Sequence, residues 1–377
     1  MPSSLSGRTI KLVASVLLIV IFSGVLYLSV APSMQPPNLT VTPYVKPQIM
    51  AATYKMYANP NFDNGFMWLS RTVFKNDGKG PIYDLTVSYK ITITGFNPFD
   101  WSTPNIYEAV VPGETVVDLF YPTFPSSILD LTTTSPSQLS VQWSYKSGFF
   151  GSTQTGVKTA NFDTLARNEI VYTSLAKEEF TGTWDDEWDN AWALAAWVTP
   201  NEPVLRDFVG HYVSGFTPET DDIVTQLWMK AWQAMDQYGI KYQFTPDSPW
   251  DQQNYYQVTQ TIKFPKDVIQ SKSGTCIELT LLMASIVSAY SLQVYVFLLP
   301  GHAIPVVQLP QSKQYLPIES TAIGNNPWFD GKNLPLVRTP QDAIKVAVTE
   351  VQNALKTNQH TAIDVNANWK AGVIPAL

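Results

Sequence analysis

The chain holds one cysteine, Cys276, and three histidines, His211, His302 and His360. Cys276 stands in Ser273-Gly274-Thr275-Cys276-Ile277-Glu278-Leu279, where a glycine-containing turn runs into the start of an apolar helix. Backbone N–H groups at a helix start carry partial positive charge, so they favour a thiolate there and can hold a developing oxyanion. His302 follows in Gly301-His302-Ala303 and Glu319 in Pro317-Ile318-Glu319-Ser320-Thr321, each inside an apolar, strand-like run. Nucleophile, general base and orienter are thus all available, in an order that such sets tolerate. The competing reading is a buried structural cysteine beside a core histidine, the usual fate of a free thiol. No pair of cysteines and no histidine cluster has metal-ligand spacing, so neither a metal nor another cofactor is expected.

The elements that must carry these residues are legible around them. A helix from about Cys276 to Tyr290 places Leu279, Leu282, Met283 and Ile286 on one face at spacings of three and four, which buries that face against a sheet. Val294 to Leu299 reads as a buried strand stopped by Pro300-Gly301. His302 opens the next strand through Val306-Val307, and Tyr315 to Ile318 reads as a third. Antiparallel pairing of these strands can bring His302 and Glu319 side by side and turn both toward the helix tip.

The run Gln260-Thr261-Ile262, Pro265, Val268-Ile269, Gly274-Thr275-Cys276-Ile277-Glu278-Leu279, Leu282, Ala284, then Gly301-His302-Ala303 and Ile318-Glu319-Ser320-Thr321, resembles the transglutaminase-like (papain-like) cysteine enzyme superfamily in its prokaryotic branch, over roughly residues 200–325. The resemblance implies an α+β catalytic domain with Cys276 as nucleophile, His302 as base and Glu319 as third member, where many members carry aspartate. It also implies an upstream polar donor in the oxyanion hole, for which Gln260, Tyr256 and Gln253 are candidates. The tryptophan near the oxyanion site of the animal enzymes has no clear counterpart. Acyl transfer from a peptide or other carboxamide through a Cys276 thioester follows as the expected chemistry. Hydrolysis is favoured, with amine-accepting cross-linking, or a non-catalytic interaction module that keeps the fold, as alternatives.

With 377 residues, 45% apolar and 13% aromatic content, the chain can fill two ordinary domains. A net charge of −7, spread along the sequence, offers no basic face for nucleic acid. Residues 12–30 run without a charge behind Arg8 and Lys11, close to the length of a membrane-crossing helix. They are expected to anchor the chain in a lipid bilayer, with residues 1–11 cytoplasmic and the bulk outside, facing a peptide or protein substrate at the cell surface. Signal cleavage near Ser29-Val30-Ala31 is the alternative.

Prolines in 31–47 suggest an extended stalk. Alternating runs at Thr53–Tyr57, Met67–Phe74, Asp84–Thr94, Tyr107–Asp118 and Leu139–Tyr145, with turn signals at Asn76-Asp77-Gly78 and Pro112-Gly113, suggest an antiparallel, immunoglobulin-like β-sandwich over 48–165. Trp184, Trp188 and Trp192 recur every fourth residue in a linker helix over 166–200, a stripe expected to clamp that linker onto the catalytic domain. Helices are expected over 202–213, 219–237 and from Thr339-Pro340 to about Leu355. The catalytic domain is then 201–356, and 357–377 forms a tail without readable pattern.

Overall fold

The computed structural model describes residues 15–25, 35–65, 67–96, 99–147, 151–175, 179–243, 259–323 and 337–377. Part of the apolar N-terminal run is a helix over 15–25, and the remainder of the expected 12–30 span lies outside the described residues. Among the described residues no helix is long and apolar enough to cross a membrane. The expected fold class, a membrane-spanning helix followed by an immunoglobulin-like sandwich and a papain-like α+β domain, is therefore corrected to a mixed α/β chain with several separate sheets.

The chain divides into two compact units that interleave along the sequence. The first takes residues 1–47, 68–121 and 136–163. Its strands are β1 (Leu39–Val45), β2 (Ser70–Asn76), β3 (Ile82–Ile93), β4 (Asn105–Val110), β5 (Thr115–Phe120), β6 (Ser135–Ser147) and β7 (Thr153–Leu165). One sheet runs β1-β2-β5 and the other contains β7, β6, β3 and β4 in that order. Beyond a register break beside Asp84, whose φ is 50°, Leu85, Val87, Tyr89, Ile91 and Ile93 alternate inward along β3. The sheets are joined by Asp118 of β5, which is buried and accepts hydrogen bonds from Tyr89 Oη at 2.7 Å, Tyr107 Oη at 2.6 Å and Asn105 Nδ2 at 3.0 Å.

Three expectations change in this region. Leu39–Val45, within the stretch read as a stalk, is the edge strand β1, pairing antiparallel with β2; Pro43 is tolerated because one side of an edge strand needs no ladder donor. Tyr107–Asp118 is two strands, β4 and β5, joined at Gly113 with φ 83° and belonging to different sheets. Thr53–Tyr57 is no strand: it lies in short 3₁₀ turns, Ala51–Thr53 and Met56–Ala58, that belong to the second unit.

The second unit comprises residues 48–67, 122–135 and 164–377. Its helices are α1 (Pro203–Tyr212), α2 (Asp221–Tyr238), α3 (Pro265–Ser271), α4 (Cys276–Ser288), α5 (Pro340–Thr357) and α6 (Val365–Ala371). A short ladder pairs β8 (Glu169–Val171) with β9 (Thr259–Thr261). The main sheet uses β10 (Val294–Leu299), β11 (His302–Gln308), β12 (Tyr315–Pro317) and β13 (Thr361–Asp364) in the antiparallel order β12-β11-β10-β13. Residues 357–377, which carry no readable pattern, thus supply an edge strand and α6. Every side chain of α4 is buried, so this helix is central rather than one-faced. The tryptophan stripe is not one helical face either. Trp184–Glu187 and Ala191–Trp197 are separate 3₁₀ segments, whose three-residue turns do not align every fourth side chain. Trp184 packs on Trp188, Trp192 on Phe62 and Trp197 on Phe264.

Candidate active site

Cys276 is the first residue of α4, buried at 7% exposure. Thr275 caps the helix, and the Glu278 carboxylate returns to accept from the Thr275 N–H at 2.8 Å. The other Glu278 oxygen accepts from the Lys263 N–H at 2.8 Å, while the Lys263 ammonium donates to the Ser273 carbonyl at 3.0 Å. The two bonds that Glu278 accepts, from Thr275 and Lys263, fix the turn that aims Cys276. Gly274 fits closely in it: an added Cβ would sit 3.0 Å from Leu279 Cδ2 and 3.3 Å from Glu278 Cβ, so these side chains would have to give way.

His302 starts β11 opposite Leu299, just after Gly301, whose φ of 71° makes the turn between strands. Thr280 of α4 donates to the Ala303 carbonyl at 2.9 Å, tying the helix to the strand next to His302. Glu319 lies two residues past β12 and is fully buried. Its backbone is pinned by the Trp232 indole N–H, 2.9 Å from the Glu319 carbonyl, and by its own N–H, 3.2 Å from the Ala343 carbonyl. One carboxylate oxygen accepts from the Thr321 N–H at 2.8 Å and the Thr321 hydroxyl at 2.6 Å. The other receives the His302 Nε2–H at 2.7 Å.

The electrostatics follow from that geometry. Burial disfavours charge on His302 and is the largest single influence. The Glu319 carboxylate and the Cys276 thiol together outweigh it and hold the imidazole pKa well above 6.5. Burial likewise raises the Glu319 pKa, but the His302 charge and hydrogen bond, with the two bonds from Thr321, bring it below 4.5. With Nε2–H committed to Glu319, the second ring nitrogen is left to exchange a proton with the thiol.

Of the candidate oxyanion donors, Gln260 is buried on β9, and its side-chain carbonyl is 2.6 Å from the Tyr172 hydroxyl. Tyr256 and Gln253 lie outside the described residues. His302, Glu319 and Glu350 of α5 offer ligand atoms within 4.8 Å of one another, a set that a divalent cation could take. Glu350 Oε2 is 3.9 Å from His302 Nε2. Because that nitrogen carries the proton shared with Glu319, a cation there competes with the triad hydrogen bond.

The structure thus brings Cys276, His302 and Glu319 to one place and adds four residues that sequence reasoning missed. These are Thr321, Trp232, Glu350 and Tyr172. Only Thr321 left a signal, an acid followed two residues later by a hydroxyl, a spacing at which local side-chain to backbone bonds form. The other three reach the site from elements remote in sequence. Compared with family models, curated proteins and solved structures, the chain finds no match.

Proposed function

We propose that the second unit is a cysteine acyltransferase site acting on a carboxamide, in the manner of the transglutaminase-like enzymes that residues 200–325 resemble, with water as the favoured acceptor. The observation that carries this reading is the buried 2.7 Å pair of His302 Nε2 and Glu319, beside a helix that starts at Cys276 and is tied through Thr280 to the strand residue next to His302. His302 takes the thiol proton as Sγ attacks the acyl carbon, and the C–S bond forms. Collapse of the tetrahedral adduct breaks the C–N bond, and His302 gives the proton to the departing amine. Water then attacks the thioester, His302 accepts its proton, and the C–S bond breaks to return the thiol. An amine in place of water gives a new amide by the same steps.

The test is acyl capture. Wild-type protein mixed with p-nitrophenyl acetate should release a stoichiometric burst of nitrophenolate and carry an acetyl group on Cys276 by mass spectrometry. Cys276→Ala, with unchanged circular dichroism, should give neither. Adding cadaverine during turnover separates acceptors: acetyl-cadaverine in excess of acetate marks cross-linking chemistry, and acetate alone marks hydrolysis. A wild-type protein without burst or acetyl adduct would remove the enzymatic reading.

A further inference from the structure

The Gln260 amide is held by a residue outside the catalytic set. β9 pairs antiparallel with β8 so that Gln260 faces Ile170. Tyr172 follows directly on β8, and its hydroxyl meets the Gln260 side-chain carbonyl at 2.6 Å, with both residues buried. A carboxamide has two ends, and engaging the oxygen leaves the NH₂ end directed the other way as a donor. Burial, followed by the nearby Cys276 and Glu278, holds the Tyr172 pKa well above 10, so the hydroxyl keeps its proton and remains the donor to Gln260. Beyond β9 the chain reaches Lys263, whose N–H donates to Glu278 at 2.8 Å in the first turn of α4, and this brings the Tyr172–Gln260 pair toward the end of α4 that carries Cys276.

Tyr172 is itself fixed from behind. Its ring packs edge-on against Trp188, with centroids 5.1 Å apart and planes at 71°, and Trp188 packs on Trp184. The Tyr172 carbonyl accepts from the Asn190 N–H at 2.8 Å. The Asn190 amide donates to the Val171 carbonyl at 3.1 Å and to the Ser174 hydroxyl at 2.7 Å. The tryptophan-rich segment, whose spacing gave no function, thereby grips the residue that grips Gln260.

We propose that Tyr172 is a positioning residue for the oxyanion site: it sets the rotamer of the Gln260 amide so that an N–H faces the carbonyl oxygen of an acyl group on Cys276. The inference rests on the acyl-transfer reading above. In this assignment Gln260 is the donor to the oxyanion, and Tyr172 acts through it.

Two reagents separate this role from a structural one. p-Nitrophenyl acetate reacts with Cys276 through a tetrahedral oxyanion. Iodoacetamide alkylates it by direct displacement, forming a thioether and releasing iodide with no oxyanion at all. In the full chain, Gln260→Ala should slow acetylation by about 10²-fold, the usual loss of one oxyanion donor, and Tyr172→Phe by roughly tenfold. Both should leave iodoacetamide labelling within about twofold of wild type. The double variant should be no slower than Gln260→Ala alone, because residues acting in series do not add. Acetylation unchanged in Tyr172→Phe, an equal fall with both reagents, or an additive loss in the double variant would each overturn the positioning role while leaving acyl transfer intact. A wild type that is alkylated but never acetylated would instead bring down acyl transfer and this inference with it.

Discussion

Replacing Glu319 by glutamine is the sharpest test of the triad, because the surroundings dictate how the new side chain must sit. The Thr321 N–H and hydroxyl both donate to one Glu319 oxygen, at 2.8 and 2.6 Å, so the glutamine carbonyl takes that place. Its NH₂ group then points at His302 Nε2, where the carboxylate now accepts at 2.7 Å. A donor facing Nε2 forces the ring proton onto Nδ1, the nitrogen needed to receive the thiol proton. The base is lost by tautomer as well as by charge.

The charge alone sets the scale. Two unit charges 2.7 Å apart attract by about 6 kcal/mol at an effective dielectric near 20, and each ~1.4 kcal/mol is a factor of ten in rate. Glu350, 3.9 Å from the same nitrogen but partly exposed, returns some of that stabilisation to the imidazolium. The net expectation for Glu319→Gln is a fall in acylation rate of about 10³-fold, with Glu319→Asp milder because charge survives and only reach is lost. Glu319→Gln combined with Glu350→Gln should fall about tenfold further, since both carboxylates paired with the ring among the described residues are then neutral. The assay is the p-nitrophenyl acetate burst by stopped flow, with melting temperature measured alongside. Glu319→Gln acylating within about tenfold of wild type would refute the assignment of Glu319 as orienter, because the burial and distance leave no other route to so small a loss.

Other expectations follow from single contacts. The raised His302 pKa means that its contribution to stability is complete below about 6.5 and lost as pH rises through the higher folded value; Glu319, lowered, contributes above about 4.5 and loses this as pH falls through its folded value. The stability difference between wild type and Glu319→Gln, measured by urea unfolding, should therefore be largest between these two pH values and shrink on either side; a difference flat from pH 3 to 10 would contradict the pair. Gly274→Ala should destabilise by about 1–3 kcal/mol and slow acylation, because the new methyl meets Leu279 and Glu278 inside the capped turn; unchanged unfolding would show that the turn can yield. Tyr89→Phe removes one of three donors to the buried Asp118 and should lower the unfolding free energy of the first unit by about 1.5–3 kcal/mol without touching Cys276 acylation.

The elements that carry Cys276 and His302 were legible in the sequence where the chain is locally consistent. Gly274-Thr275-Cys276 with Glu278 three residues past the cap is a helix-start pattern, and helix α4 begins at Cys276. Val294–Leu299, ending at Pro300-Gly301, is the strand the residues suggest, and His302 opens the next. What could not be read were contacts between distant segments. Tyr172 is brought to Gln260 only by the pairing of two three-residue strands, too short to carry a period. The edge strand Thr361–Asp364 fails to announce itself for the same reason. Trp184, Trp188 and Trp192 match a helical period, but the segment is broken into short 3₁₀ turns, so Trp184 still packs on Trp188 while Trp192 packs apart, on Phe62. Local periodicity reports the face an element would bury if it formed; which element forms is settled by tertiary packing.

The same contrast explains the shape of the site. Its candidate reactive groups sit at element ends, Cys276 at a helix start, His302 at a strand start and Glu319 just past another, and all three are buried. Its supporting groups come from segments far away in sequence, Trp232 and Ala343 on the Glu319 backbone and Tyr172 on Gln260. A change in the reactive set removes a step of the chemistry. A change in the supporting set leaves the thiol and imidazole present but misaimed, so it should act on acyl transfer more than on direct alkylation. That difference in sensitivity distinguishes a preorganised catalytic site from a buried cysteine that happens to lie beside a histidine.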